Sequence, residues 1–296
     1  MDKVTEKQNP KSQDLDILSV DEILTVINEE DELVSKCIKK NIPIISKLIK
    51  KIIVQFNDNG RLFYVGCGTS GRLGILDAAE CPPTFNVKSN LFNGIIAGGY
   101  GALVKSIENA EDSIYNGEKS IIDANVNKND IVIGISASST ANFVIGALKK
   151  SKKIGCLTAL ITFNKIKKEK YIDYTISTIV GPEIVSGSTR MKSGTATKMI
   201  LNMISTTIMV KLNKTYGNLM VDLKISNLKL LDRAVKIVSQ LTKKSYDDSK
   251  DILNKAEGNI KIAVIMLKLN KTLKDSKKIL ESSDGSLRKI IKPNSL

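Results

Sequence analysis

Two glutamates, two loops of small residues and one missing residue type define the chemistry open to this chain. The stretch Arg61–Phe85 reads RLFYVGCGTSGRLGILDAAECPPTF. An apolar run, Leu62-Phe63-Tyr64-Val65, precedes Gly66, Gly68 and Gly71, with Thr69 and Ser70 between the last two; Leu73, Leu76 and Ala79 then recur at helical spacing. A strand, a glycine turn and a helix start make an anion site. The first N–H groups of a helix have no partners of their own, and glycine lets a phosphate approach them. A second loop, Ser136-Ala137-Ser138-Ser139-Thr140, follows another apolar run. The hydroxyls of Ser136, Ser138, Ser139 and Thr140 are suited to share one phosphate with Gly68, Thr69, Ser70 and Gly71. Glu80 stands about two and a half turns past the first loop and directly before Cys81-Pro82-Pro83. Glu111 lies in the acidic run ENAEDS, beside Glu108 and Asp112. By residue type alone, Glu80 is open to a surface role and Glu111 to a role as a helix N-terminal charge. The chain has no histidine, so proton transfer falls to Glu, Asp, Lys, Tyr or Cys. The combination suggests acid–base chemistry on a phosphorylated small molecule.

Other chemistries fit less well. Neither loop ends in GKS or GKT, which disfavours nucleotide hydrolysis. The GxGxxG spacing is kept only loosely and no clear acid closes the next strand, so a dinucleotide is not indicated. Cys67 sits beside the first loop without a visible base partner and reads as a small core residue. Arg190 and Lys192, in GSTRMKSGT, are open to phosphate or to solvent, and Ser188 and Thr189 there are candidate helix caps.

The elements that must position these residues are legible from periodicity. Residues 1–19 read as an extended arm. Ser19 and Glu22 have capping-box spacing for a short helix to Asn28, and a longer helix is expected from Asp31 to Asn57, bent near Pro43. Asn57-Asp58-Asn59-Gly60 is a turn. Strands are expected at Leu62–Val65, Leu91–Ile96, Asp130–Ile135, Gly155–Thr162 and Tyr174–Val180. Helices are expected at Ala102–Asn109, Ser113–Asp123 and Ala141–Lys150, and one after Gly68 that the double proline ends. Strands that alternate with helices and are apolar on both faces make a parallel sheet, with ligands beyond the carboxyl ends of the strands. From Ser188 the pattern turns helical: Thr189–Lys211, Leu228–Leu241, and three short helices over 246–296 divided near Gly258-Asn259 and Asn270.

Composition narrows the class. A 296-residue chain with 42% hydrophobic residues supports a large core. The net charge of +14 is spread over scattered lysines and aromatics are only 4%, so nucleic acid is not an expected partner. No apolar run spans a bilayer, and the polar start is unlike a signal peptide. Four widely spaced cysteines without a CxxC pair imply neither zinc nor a disulfide framework and suit a reducing cytoplasm.

Taken together, these segments resemble the N-acetylmuramic acid 6-phosphate etherases, within the sugar isomerase (SIS) phosphosugar-binding domains. The resemblance is carried by TEKQNP at Thr5–Pro10, YVGCGTSGRLGILDAAECPPTF at Tyr64–Phe85 and IIAGGYGALVKSIENAEDS at Ile95–Ser113. It continues through DIVIGISAS at Asp130–Ser138, VGPEIVSGSTRMKSGTATKMILNMIST at Val180–Thr206 and YGNLMVDLKISNLKLLDRAVKIV at Tyr216–Val238. It implies an α/β fold with a parallel flavodoxin-like sheet flanked by helices and a small helical C-terminal subdomain. The implied organisation is an arm and helices over 1–57, an SIS domain over 58–213 and helices over 214–296. It further implies a homodimer and a phosphosugar substrate, with no metal or other cofactor. Carried onto matching positions, Glu80 is the proton donor and Glu111 the base. The sequence departs from the family at the second loop, where Ser139-Thr140-Ala141-Asn142 replaces the usual Gly-Arg-Thr-Pro, and at Lys7-Gln8, where arginines are frequent.

Overall fold

A computed structural model describes residues 3–291 of the chain. Five strands, β1 (Leu62–Gly66), β2 (Phe92–Ile96), β3 (Ile131–Ile135), β4 (Leu157–Thr162) and β5 (Tyr174–Ser177), form one parallel sheet in the order β2-β1-β3-β4-β5. Every residue of β1 and β3 is buried. That is the reason for their unbroken apolar runs: both faces of a parallel sheet are covered by crossover helices. The helices of this region are α1 (Val20–Lys39), α2 (Ile42–Asn57), α3 (Gly68–Phe85), α4 (Ile114–Asp123), α5 (Asn142–Ile154) and α6 (Lys192–Lys211). On one face of the sheet, Phe63, Val65 and Val132 pack with Ile121, Val144, Ala147 and Leu148 of α4 and α5.

The chain divides into two compact units. One comprises residues up to 79 with 89–205; the other comprises 80–88 with the chain from 206 onward. The second unit is helical: α7 (Leu228–Thr242), α8 (Tyr246–Lys255), α9 (Ile260–Leu269), α10 (Leu273–Ser282) and α11 (Leu287–Ile290). Its core gathers Val235, Val238, Leu253, Ile260, Val264 and Leu287. Lys261 is buried there, where its ammonium donates to Asp222 Oδ2 at 2.6 Å and to the carbonyls of Asn213 and Gly285. Among the described residues, no helix is long and apolar enough to cross a membrane.

Four local expectations are corrected. The capping box at Ser19 and Glu22 is present, yet α1 runs unbroken to Lys39, with Glu30 turned inward mid-helix. The break falls at Lys40-Asn41, and Pro43 lies in the first turn of α2, where its missing N–H costs nothing. The Ala102–Asn109 helix is replaced by a short 3₁₀ turn at Tyr100–Leu103 and bends. Arg72 takes the carbonyls of Leu103 and Lys105 that such a helix would use, and Asn109 is left-handed at φ 56°. Helix α3 does not stop at the prolines; it encloses Pro82 and Pro83 and closes when the Asn86 N–H donates to Pro82 O at 2.9 Å. Helix α6 starts at Lys192 rather than Thr189. Its cap is Glu183, whose two carboxylate oxygens accept the Lys192 N–H at 3.0 Å and the Ser193 N–H at 2.9 Å.

Lys192 therefore points neither at phosphate nor at solvent. It is buried against Glu30, and Asn9 Nδ2 donates to the same carboxylate at 2.8 Å and to Pro182 O at 3.2 Å. Burial alone would raise the Glu30 carboxyl; the bonds from Lys192 and Asn9 outweigh it and hold the group below the ordinary value of 4.5. A carboxylate held low in the folded state stabilises above the unfolded value, and that contribution is lost as pH falls below it. Lys192→Met leaves the buried Glu30 carboxylate with only the half-exposed Lys11, 3.6 Å from its other oxygen, as a cation, and should cost up to about 3 kcal/mol in urea unfolding at neutral pH. The deficit should shrink as pH is lowered, because burial without Lys192 raises the carboxyl in the variant, whereas the wild type loses its extra stability below the unfolded value.

Candidate active site

Strands β1 and β3 are neighbours in register, with Gly66 opposite Ile135. Their loops therefore leave the sheet side by side, at the point where successive crossovers depart to opposite sides and ligands of such sheets bind. In the first loop, Gly68 opens α3 at φ +51° with nothing within 4 Å of a Cβ built on it. Gly71 serves packing: a Cβ there would lie 2.6 Å from Ile96 Cγ1 and 2.8 Å from Gly66 O. Its N–H donates to Cys67 O at 3.3 Å. Among the described residues, no acceptor takes the N–H groups of Gly68, Thr69 and Ser70. Three free donors thus begin a helix of 18 residues, the arrangement that attracts an anion.

The second loop is built around its backbone. The Ala137 carbonyl accepts from Phe163 N–H, Thr162 Oγ1 and Asn164 Nδ2 at 3.0–3.2 Å. Ser136 is buried; Ser138 Oγ and Thr140 Oγ1 share a hydrogen bond of 2.8 Å. Ser139 is held left-handed at φ +61°, with its hydroxyl on Ser138 O at 2.5 Å. A cavity of about 120 Å³ adjoins this loop, lined by Ser136 and Ser139 but otherwise largely by apolar side chains such as Val144, Leu148 and Leu160.

Glu111 is brought to both loops. Helix α5 has no side-chain cap; instead the Glu111 carbonyl accepts the Phe143 N–H at 2.9 Å, and Asn142 Nδ2 donates to Asp112 O at 3.1 Å. The starts of α4 and α5 meet at backbone distance, since a Cβ on Gly117 would fall 2.0 Å from Phe143 O and one on Gly146 2.2 Å from Ile114 O. The Glu111 side chain is exposed, and its charge reaches Cys67 in the first loop. Burial, then Glu111, then Asp112 push that thiol up to about 12. Cys67 therefore stays protonated at neutral pH and is not a thiolate nucleophile. Glu80 is exposed on α3, eleven residues after Thr69, about 16 Å along the helix on the same face.

Two residues that sequence reading passed over support this frame. Arg72 Nε and Nη2 donate to the carbonyls of Leu103 and Lys105, both at 3.1 Å, pinning the strand-to-Glu111 segment to the cradle helix. Asp77 is buried and accepts from Asn202 Nδ2 at 2.8 Å, Ser205 Oγ at 3.0 Å and Tyr64 Oη at 3.0 Å. Burial raises its carboxyl despite these donors. The available signals were an arginine directly after the glycine loop and an aspartate on an apolar helix face. Among the described residues, no group of three metal-ligating side chains is present.

Two family models match the chain: the glucokinase regulatory protein N-terminal SIS domain over residues 44–152, and the C-terminal lid domain of glucokinase regulatory protein over 217–261. Curated relatives match it from end to end. The N-acetylmuramic acid 6-phosphate etherase of Caldanaerobacter subterraneus subsp. tengcongensis is 46% identical over 99% of this chain and 96% of its own. That of Clostridium acetobutylicum is 44% identical over 99% of this chain and 98% of its own; that of Pectobacterium atrosepticum is 44% identical over 97% and 95%. The chain belongs to the N-acetylmuramic acid 6-phosphate etherase family. Ser139 carries a structural cost, because its left-handed backbone at φ +61° suits glycine and strains an L side chain. Ser139→Gly should stabilise the protein by about 0.5–1 kcal/mol, read as a higher thermal midpoint.

Proposed function

We propose that this chain cleaves the D-lactyl ether of N-acetylmuramic acid 6-phosphate, releasing (R)-lactate and leaving N-acetylglucosamine 6-phosphate, in cell-wall sugar catabolism. The observation that carries the reading is identity of 43–46% to etherases over nearly the whole chain, with both glutamates in place. The free N–H groups of Gly68, Thr69 and Ser70 and the hydroxyls of Ser136, Ser138, Ser139 and Thr140 hold the phosphate. Gly71 keeps the cradle against the sheet. In the ring-opened sugar the C1 aldehyde acidifies the C2 proton. Glu111 removes that proton; the electron pair forms the C2–C3 double bond as the C3–O bond breaks, and Glu80 protonates the departing lactate oxygen. Water then adds across the unsaturated aldehyde, its oxygen to C3 and a proton to C2. No cofactor is required, and the missing histidines are not needed.

The active form is a homodimer. Helix rise alone puts Glu80 about 16 Å from Thr69, too far for both to serve one phosphosugar, so each cradle takes its acid from the other copy. Tyr100 and Val104, 86% and 80% exposed, supply apolar surface on the segment leading to Glu111. Four widely spaced cysteines without a CxxC pair suit the cytoplasm.

The glucokinase regulatory protein models favour a second reading, a phosphosugar sensor without turnover. Lactate release from N-acetylmuramic acid 6-phosphate separates the two; tight binding with no lactate would replace the etherase by the sensor. Glu111→Gln should abolish exchange of the C2 proton with D₂O. Glu80→Gln should block lactate departure while keeping some exchange, each loss being about 10²–10⁴-fold. Mixing the two inactive variants and allowing subunit exchange should restore lactate release. Continued inactivity of verified mixed dimers would place both glutamates of one site in one chain.

A further inference from the structure

The second loop carries hydroxyls and no charge: residues 136–142 read SASSTAN. Its cation comes from the far end of the sequence. Lys3 Nζ donates to Thr140 Oγ1 at 3.1 Å, and Thr140 Oγ1 is itself hydrogen-bonded to Ser138 Oγ at 2.8 Å. The arm that bears Lys3 is fixed. The N–H groups of Val4 and Thr5 donate to Asn164 Oδ1 at 2.6 and 3.4 Å. Asn164 Nδ2 donates to Thr5 Oγ1 and to Ala137 O, both at 3.0 Å. Thr5 is fully buried and Asn164 is 3% exposed, so one buried amide holds both the arm and the loop. Asn9, 4% exposed, is a second anchor through Glu30 and Pro182. An ammonium has three donors and no acceptor. Thr140 takes one of them, and among the described residues no carboxylate pairs with Lys3.

We propose that Lys3 is a substrate-binding residue, the cation that the second loop lacks, and that it holds the phosphate of the sugar. This rests on the etherase reading above. The two remaining donors of Lys3 join the Ser138 and Thr140 hydroxyls at the carboxyl end of β3, beside the free N–H groups of α3 on the neighbouring strand. A lactyl carboxylate has the same acceptor chemistry, so the test treats the two anions separately.

Wild type, Lys3→Met and Lys3→Arg are titrated calorimetrically with N-acetylglucosamine 6-phosphate and, separately, with D-lactate. Lys3→Met should bind the phosphosugar about tenfold more weakly, as expected for losing one charged hydrogen bond. Lys3→Arg should recover most of that affinity. In turnover the loss should fall on KM more than on kcat, and the thermal midpoints should stay with wild type, because the lysine head lies at the surface. Unchanged phosphosugar affinity in Lys3→Met overturns the proposal, as does a loss confined to D-lactate, which assigns Lys3 to the carboxylate. A wild type that binds the phosphosugar and releases no lactate instead overturns the etherase reading, and leaves the binding comparison intact.

Discussion

The site depends on how closely α3 lies against the sheet. Gly66 and Gly71 meet without a side chain between them, so the helix begins two residues after the strand ends. Its first N–H groups emerge at the sheet's carboxyl edge. Three other helices of the sheet-bearing unit are closed by a side chain at that end: Ser19 caps α1, Ser113 caps α4, and the Glu183 carboxylate caps α6. A helix start already bonded to its own carboxylate has little left for a ligand. At α3 the preceding residue is Cys67, whose protonated thiol is only a weak acceptor, and the donors remain free. A tight glycine contact thus becomes a binding property, because it decides which of several helix ends faces a ligand unoccupied.

The sheet and both loops were legible in the sequence because parallel strands advertise themselves. They are buried on both faces, so they read as apolar runs, and the loops after them show as sudden clusters of Gly, Ser and Thr. The position of Glu111 was not legible. Its segment is irregular, and it is located by bonds to Arg72 and Phe143 and by the Gly117 and Gly146 contacts, which join residues tens of positions apart. No local pattern encodes such contacts. The failed helix at 102–109 has the same origin, since the local propensity was real and Arg72 overrode it by taking the carbonyls. Lys192 misled for another reason. A lysine in a polar run normally stays in water, and only Glu30, 162 residues away, makes its burial tolerable.

The double proline shows how a correct signal can be placed wrongly. Proline does interrupt a helix ladder, and Pro82 and Pro83 have no N–H to offer Ala78 and Ala79. The helix survives because proline's fixed φ is itself helical, so the turn is kept while two of its bonds are lost. Glu80 thus stands on a helical turn with fewer internal bonds than its neighbours, a local setting that a reading of exit and entry points alone does not reveal.

Asn164 also imposes an order in time. It fastens Val4 and Thr5 to a strand end about 160 residues later, and contacts of such separation carry a large loop-closure cost and form late. As the chain is synthesised, the arm leaves the ribosome well before β4, and it has nothing to dock on until β4 has been made and has joined the sheet. The arm is therefore made long before it can settle. Its docking brings Lys3 to the second loop, which the Phe163 N–H and the Thr162 hydroxyl already hold at the Ala137 carbonyl.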